Sequence, residues 1–186
     1  MNRHVFAIVA VFGAVLGLGA AAQAPGAKQT TAALQLTSPA FQEGGRIPPQ
    51  YTCDDGDSSP PLAWTDPPAG TKSFALIVDD PDAPGRTWVH WVVYNMPPTR
   101  RELSENLSRD ADLDDGTRQG VTDSRRIGYN GPCPPSGTHR YVFKLYALDT
   151  VLDLPSGVGT DHLEQAMQLH TLAEAKLIGT YQRHAQ

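Results

Sequence analysis

A mostly β, loop-rich fold is what this sequence predicts, on three observations. Its 186 residues include 16 prolines and 17 glycines, a load that suits turns rather than a helical bundle. Past the N-terminus, its apolar stretches are short runs rich in Val, Ile, Tyr, Phe and Trp, the residues that fit a pleated surface. Two of those runs are fed by stiff Pro/Gly loops. Residues 79–98 read DDPDAPGRTWVHWVVYNMPP, and residues 128–148 read GYNGPCPPSGTHRYVFKLYAL. Proline fixes φ and donates no backbone hydrogen bond, so Pro81 and Pro84 exclude helix or central strand around Asp82.

The first residues stand apart from that fold. Arg3 precedes an apolar run over 5–18, and small residues follow over 19–24. This is the pattern of a secretory signal peptide, residues 1–24, cleaved after Ala22 or Ala24. The run is shorter than the roughly 20 residues that span a bilayer. The mature chain is therefore expected to be exported, periplasmic or secreted, with no transmembrane span. A polar lead over 25–33 comes next, and 34–186 is long enough for one domain with its own core. The formal net charge of −5 argues against nucleic acid as a partner.

Strands are expected near 34–37, 62–64, 74–78, 88–95 and 141–148. The runs at Trp88 and Tyr141 are apolar on both alternating faces, which places them in the middle of the structure. Residues 99–126 are polar and charged, broken by Gly116 and Gly120, and read as a long surface excursion. Asp161-x-x-Glu164 and Thr171-x-x-Glu174 are both capping-box patterns, and helical spacing of Leu163, Met167, Leu172 and Leu177 predicts two short C-terminal helices. Cys53 and Cys133 are the only cysteines. An even pair in a chain bound for an oxidising compartment is a candidate disulfide, whereas two distant thiols supply too few soft ligands for a metal.

Asp80, His90 and His139 bring a carboxylate and two imidazoles onto the two stiff loops. As metal ligands they make a two-His-one-carboxylate set. As catalysts they make a general base with an orienting acid. As a binding site, Asp80 orients an imidazole and raises its pKa, leaving a charged N–H for an anion. Glycine permits the backbone geometry of an anion nest around Gly131, and Tyr141 adds a hydroxyl donor. The plain alternative is that both histidines are satisfied core residues. No G-x-S-x-G elbow, H-E-x-x-H helix or Gly-rich phosphate loop is present.

DPDAP, then WVHW, then GYNGPCPPSGTHRYVFKLYAL resembles the phosphatidylethanolamine-binding protein family, in its bacterial Raf-kinase-inhibitor-like branch. YTCDDGDSSPPLAW and AMQLHTLAEAKLIGTYQR extend the resemblance over nearly all of the mature chain. It implies a β-sandwich of a large antiparallel sheet and a smaller one, with short C-terminal helices. It also implies an anion pocket made by Asp80, Pro84, His90, Gly131, Pro132, His139 and Tyr141, with Trp88 at the rim. Members bind phosphate-like groups, including phospholipid headgroups and phosphorylated residues, without enzymatic activity, metal or other cofactor. The expected function is an exported soluble binding protein for a small anionic, phosphate-bearing ligand. The alternative is an interaction protein that inhibits a secreted protease or other envelope protein, using the pocket rim and residues 99–126. A hydrolase or metalloenzyme built on Asp80, His90 and His139 is the third reading.

Overall fold

Two antiparallel sheets carry the architecture of the computed structural model, which describes Met1 and residues 33–183. The leader expected at residues 1–24 and nearly all of the polar lead lie outside the described residues. Residues Thr31–Gln186 form one compact unit. The small sheet joins β1 (Leu36–Thr37), β2 (Leu62–Trp64) and β5 (Glu102–Leu103). The large sheet contains β3 (Ser73–Asp80), β4 (Trp88–Met96), β6 (Arg118–Gln119), β7 (His139–Leu148) and β8 (Thr171–Tyr181). Its order is β6-β4-β3-β7-β8, so the runs at Trp88 and Tyr141 lie inside it, as their sequences require.

The reason is visible in β3, whose eight residues are all buried. Phe74, Leu76 and Val78 face the small sheet, where they join Trp64, Trp91 and Phe143 in one core. Ala75 and Ile77 face the other way, against Val92, Tyr94, Leu163 and Met167. A single helix, α1 (Thr160–Met167), covers that second face, with Leu163 and Met167 as its buried residues. Among the described residues no helix is long and apolar enough to cross a membrane.

The second expected helix is a strand. Thr171–Tyr181 pairs with β7 along its length, from Leu148↔Thr171 to His139↔Tyr181. Its buried residues Ala175, Leu177, Gly179 and Tyr181 recur at a period of two, the strand period. Gly179 is required by this packing, because a Cβ there would lie 2.5 Å from Ile47 Cγ1. Helix formers and a capping pattern lost to ten residues of sheet partner, a tertiary override of local propensity.

Residues 99–126 are not a free excursion either. Gln119 is fully buried, accepts a hydrogen bond from the Trp91 indole at 2.8 Å, and donates to the carbonyls of Ser108 and Asp110. Gly120 N–H donates to the Val92 carbonyl at 2.9 Å, and a Cβ at Gly120 would meet the Val158 carbonyl at 2.3 Å. Residues 118–123 are laced along the outer edge of β4, Glu102–Leu103 pair with β2, and much of 104–116 stays exposed.

Candidate functional site

The two stiff loops meet at the ends of β3, β4 and β7. A register shift between Val78 and Asp79 breaks the alternation just before the strand ends, and both Asp79 and Asp80 are buried. Asp79 pairs with Lys144. Asp80 Oδ2 accepts from His139 Nδ1 at 2.7 Å, and its Oδ1 accepts from the Asp82 N–H at 2.8 Å. Asp82 in turn is gripped by Arg140, whose hydrogen bonds hold its carboxyl down to about 2.

His90 belongs to a different pair. Its Nδ1 is 2.7 Å from the Asn130 carbonyl, and the Asn130 N–H returns a bond to the His90 carbonyl at 2.9 Å. A carbonyl only accepts, so Nδ1 carries the proton and Nε2 is the ring's acceptor when neutral. Burial pushes the His90 pKa down, opposed in smaller measure by the Asn130 bond and the Asp80 charge. Asp80 does orient an imidazole, as expected, but that imidazole is His139 rather than the cavity-lining His90. Burial favours neutral His90 in the free protein.

The Tyr141 ring packs edge-on to His90, with centroids 5.1 Å apart. Its hydroxyl is buried and makes no hydrogen bond of ordinary length among the described residues, though the Cys133 backbone and the Asp80 carboxylate lie near enough to bear on it. Burial first, and the nearby Asp80 charge second, raise its pKa, so it stays a donor. A buried hydroxyl left unpaired costs stability, and native structures rarely keep one without a reason.

These groups surround a cavity of about 310 Å³. Asp80, His90 and Tyr141 line its base, and Pro84 and Trp88 form one wall. Cys133, Pro134 and Pro135 form the opposite wall. Cys133 is bridged to Cys53, so that wall is covalently tied to a loop 80 residues earlier. Three residues expected at the pocket do not line it. His139 is buried behind Asp80, while Gly131 and Pro132 anchor the loop from outside. The Gly131 N–H donates to Asp57 Oδ1 at 2.6 Å, so it is not offered as part of a nest. Gly131 is needed for close approach instead, since a Cβ would lie 2.8 Å from Thr52 Cα. The Pro132 carbonyl accepts from the Cys53 N–H at 3.1 Å.

Sequence reading missed Asn130 and Ser124, which also line the cavity, and Asp57, which holds its loop. Asn130 was within the quoted motif, beside Gly131, but nothing local marked it. A larger groove of about 500 Å³ lies elsewhere, between Leu34, Phe41 and Leu177, and brings in neither of the two stiff loops. Among the described residues no cluster of three or more His, Cys, Asp and Glu is arranged to hold a metal ion.

A family model described as phosphatidylethanolamine-binding protein matches residues 37–182. The chain belongs to this family. A curated relative in Methanothermobacter thermautotrophicus is 54% identical over 150 residues, covering 81% of this chain and 99% of its own. Another, in Aquifex aeolicus, is 47% identical over 82% of this chain and 90% of its own. The fold is similar to that of a phosphatidylethanolamine-binding protein homologue from Chlamydia trachomatis. That comparison gives a TM-score of 0.75 and 43% identity, covering 82% of this chain and 99% of that one. It is also similar to an Escherichia coli structure described as a new member of the mammalian family, with TM-score 0.76, 34% identity, and coverage of 82% and 100%. As a family member, this chain is read as a binding protein, with two antiparallel sheets and one short α-helix among the described residues.

Proposed function

We propose that this phosphatidylethanolamine-binding family member is an exported soluble protein whose cavity holds a small anionic, phosphate-bearing ligand. The observation that carries the reading is the Tyr141 hydroxyl, a buried donor that lines the cavity and makes no hydrogen bond of ordinary length. An anion's oxygen satisfies it. The same oxyanion favours protonation of His90, whose Nε2 then becomes a second donor. Ser124 and Asn130 add further polar groups to the lining. Export is supported by the leader-like residues 1–24 and by the Cys53–Cys133 bridge, a bond at home in oxidising compartments. The alternative, an inhibitor of a secreted protease or other envelope protein, uses the pocket rim and residues 99–126, much of which is exposed surface.

Two measurements test this reading. Mass spectrometry of gently extracted native protein is expected to detect a retained phosphate-bearing small molecule. Calorimetric titration of inorganic phosphate and phosphoethanolamine is expected to show saturable one-site binding. Protein that retains nothing and binds neither probe contradicts the proposal.

A further inference from the structure

No lysine or arginine lines the cavity among the described residues. The nearby guanidiniums are committed elsewhere: Arg86 makes a two-pronged pair with Asp123, and Arg126 reaches Asn130 Oδ1 and Asp57. The one carboxylate in the lining is Asp80, 3% exposed. An anion site without a lining cation and with a buried carboxylate is an odd host for a fully deprotonated oxyanion, because two acceptors facing each other repel.

We propose that the cavity selects a phosphoryl group that still carries a proton, meaning hydrogen phosphate or a phosphate monoester. Sulfate and phosphodiesters are refused, with Asp80 as the specificity-determining acceptor. The inference rests on the anion-binding reading above. Asp80 spends one acceptor site on the Asp82 N–H and one on His139 Nδ1, at 2.8 and 2.7 Å. A carboxylate has about four, and the Tyr141 hydroxyl also bears on Asp80, so at least one remains. Toward a P–OH a remaining site makes a short charge-assisted bond. Toward sulfate or a diester, which have no such proton near neutral pH, it makes only repulsion. Tyr141 and His90 supply donors for the phosphoryl's other oxygens, and Asp80 supplies the acceptor for its hydroxyl. The lining thus matches a ligand with both kinds of oxygen. It follows that an intact glycerophospholipid, a diester, is a poor occupant, whereas a monoester such as phosphoethanolamine fits.

The test is competition calorimetry at pH 6, where a monoester's second pKa of about 6 leaves near half of it protonated. The probes are inorganic phosphate against sulfate, which match in size and shape, and methyl phosphate against dimethyl phosphate. Phosphate is expected to bind at least about tenfold more tightly than sulfate, and methyl phosphate likewise over dimethyl phosphate, the effect of one charged hydrogen bond. Asp80→Asn is expected to bring the phosphate-to-sulfate ratio toward one, mainly by admitting sulfate, with folding checked by thermal melting. Sulfate or dimethyl phosphate binding as tightly as its partner overturns the selectivity but leaves the anion site standing. Failure of all four probes overturns both readings. Should Asp80→Asn not fold, the wild-type ratios alone decide.

Discussion

The two walls of the cavity are built by opposite means. The wall that carries Pro84 and Trp88 is held by charged contacts near the surface: Asp82 with Arg140 at 2.7 Å, and Arg86 with Asp123 at 2.8 Å. The wall of Cys133, Pro134 and Pro135 is held by a covalent bridge and by bonds into the interior. Those bonds run from Gly131 to Asp57, from Asn130 to His90, and from the Tyr129 hydroxyl to the Tyr51 carbonyl at 2.8 Å. Exposed ion pairs contribute little and are screened by salt, whereas a long-loop disulfide and buried bonds resist both. The second wall is therefore expected to resist salt and denaturant better than the first.

Removing the bridge should break this contrast most severely. A crosslink closing a loop of 80 residues is worth about 4 kcal/mol in the chain-entropy model. Cys53→Ser/Cys133→Ser should lose stability of that order in urea unfolding and bind phosphate more weakly. Unchanged stability would show that the interior bonds alone fix the wall. His90 gives the next effect. Its pKa lies below the ordinary 6.5 because of burial, and a bound anion favours the imidazolium. Affinity for inorganic phosphate should therefore rise as pH falls below about 6.5 and flatten in His90→Gln, with an acid-side loss near tenfold. The sign for folding is opposite. A depressed histidine pKa means the unfolded chain takes the proton more readily, so the ligand-free protein should lose stability over the same fall in pH. Asp82, held near pH 2 by Arg140, stays ionised throughout, so that wall's charged contacts do not supply the trend. Arg140→Gln should have the smallest effect, about 0–1 kcal/mol and diminished further by salt. A larger loss would mean that the first wall is held as firmly as the second.

How much of this could be read from the chain depends on the reach of each interaction. The strands β3, β4 and β7 were legible because a buried central strand must be apolar on both faces, and 74–78, 88–95 and 141–148 are. Their ends were not, since Asp79 and Asp80 are buried polar residues whose partners, Lys144 and His139, lie about 60 residues away. β8 misled because its local signals are helical and its strand character comes from β7. In the site, the residue types at Asp80, His90 and Tyr141 were legible from the motifs. Which histidine meets Asp80, and that Gly131 serves packing against Thr52, were not, because both depend on side chains brought together by the sheet.

The central claim is that the fold leaves the buried Tyr141 hydroxyl without a close partner for the sake of a ligand. Tyr141→Phe removes only that oxygen. Thermal melting and phosphate titration of this variant beside the wild type test the claim most directly. A hydroxyl kept for binding predicts a melting temperature equal to or above wild type, because an unsatisfied buried group is lost. It also predicts phosphate affinity weaker by tenfold or more. A lowered melting temperature with unchanged phosphate affinity would contradict it and assign the hydroxyl to the fold.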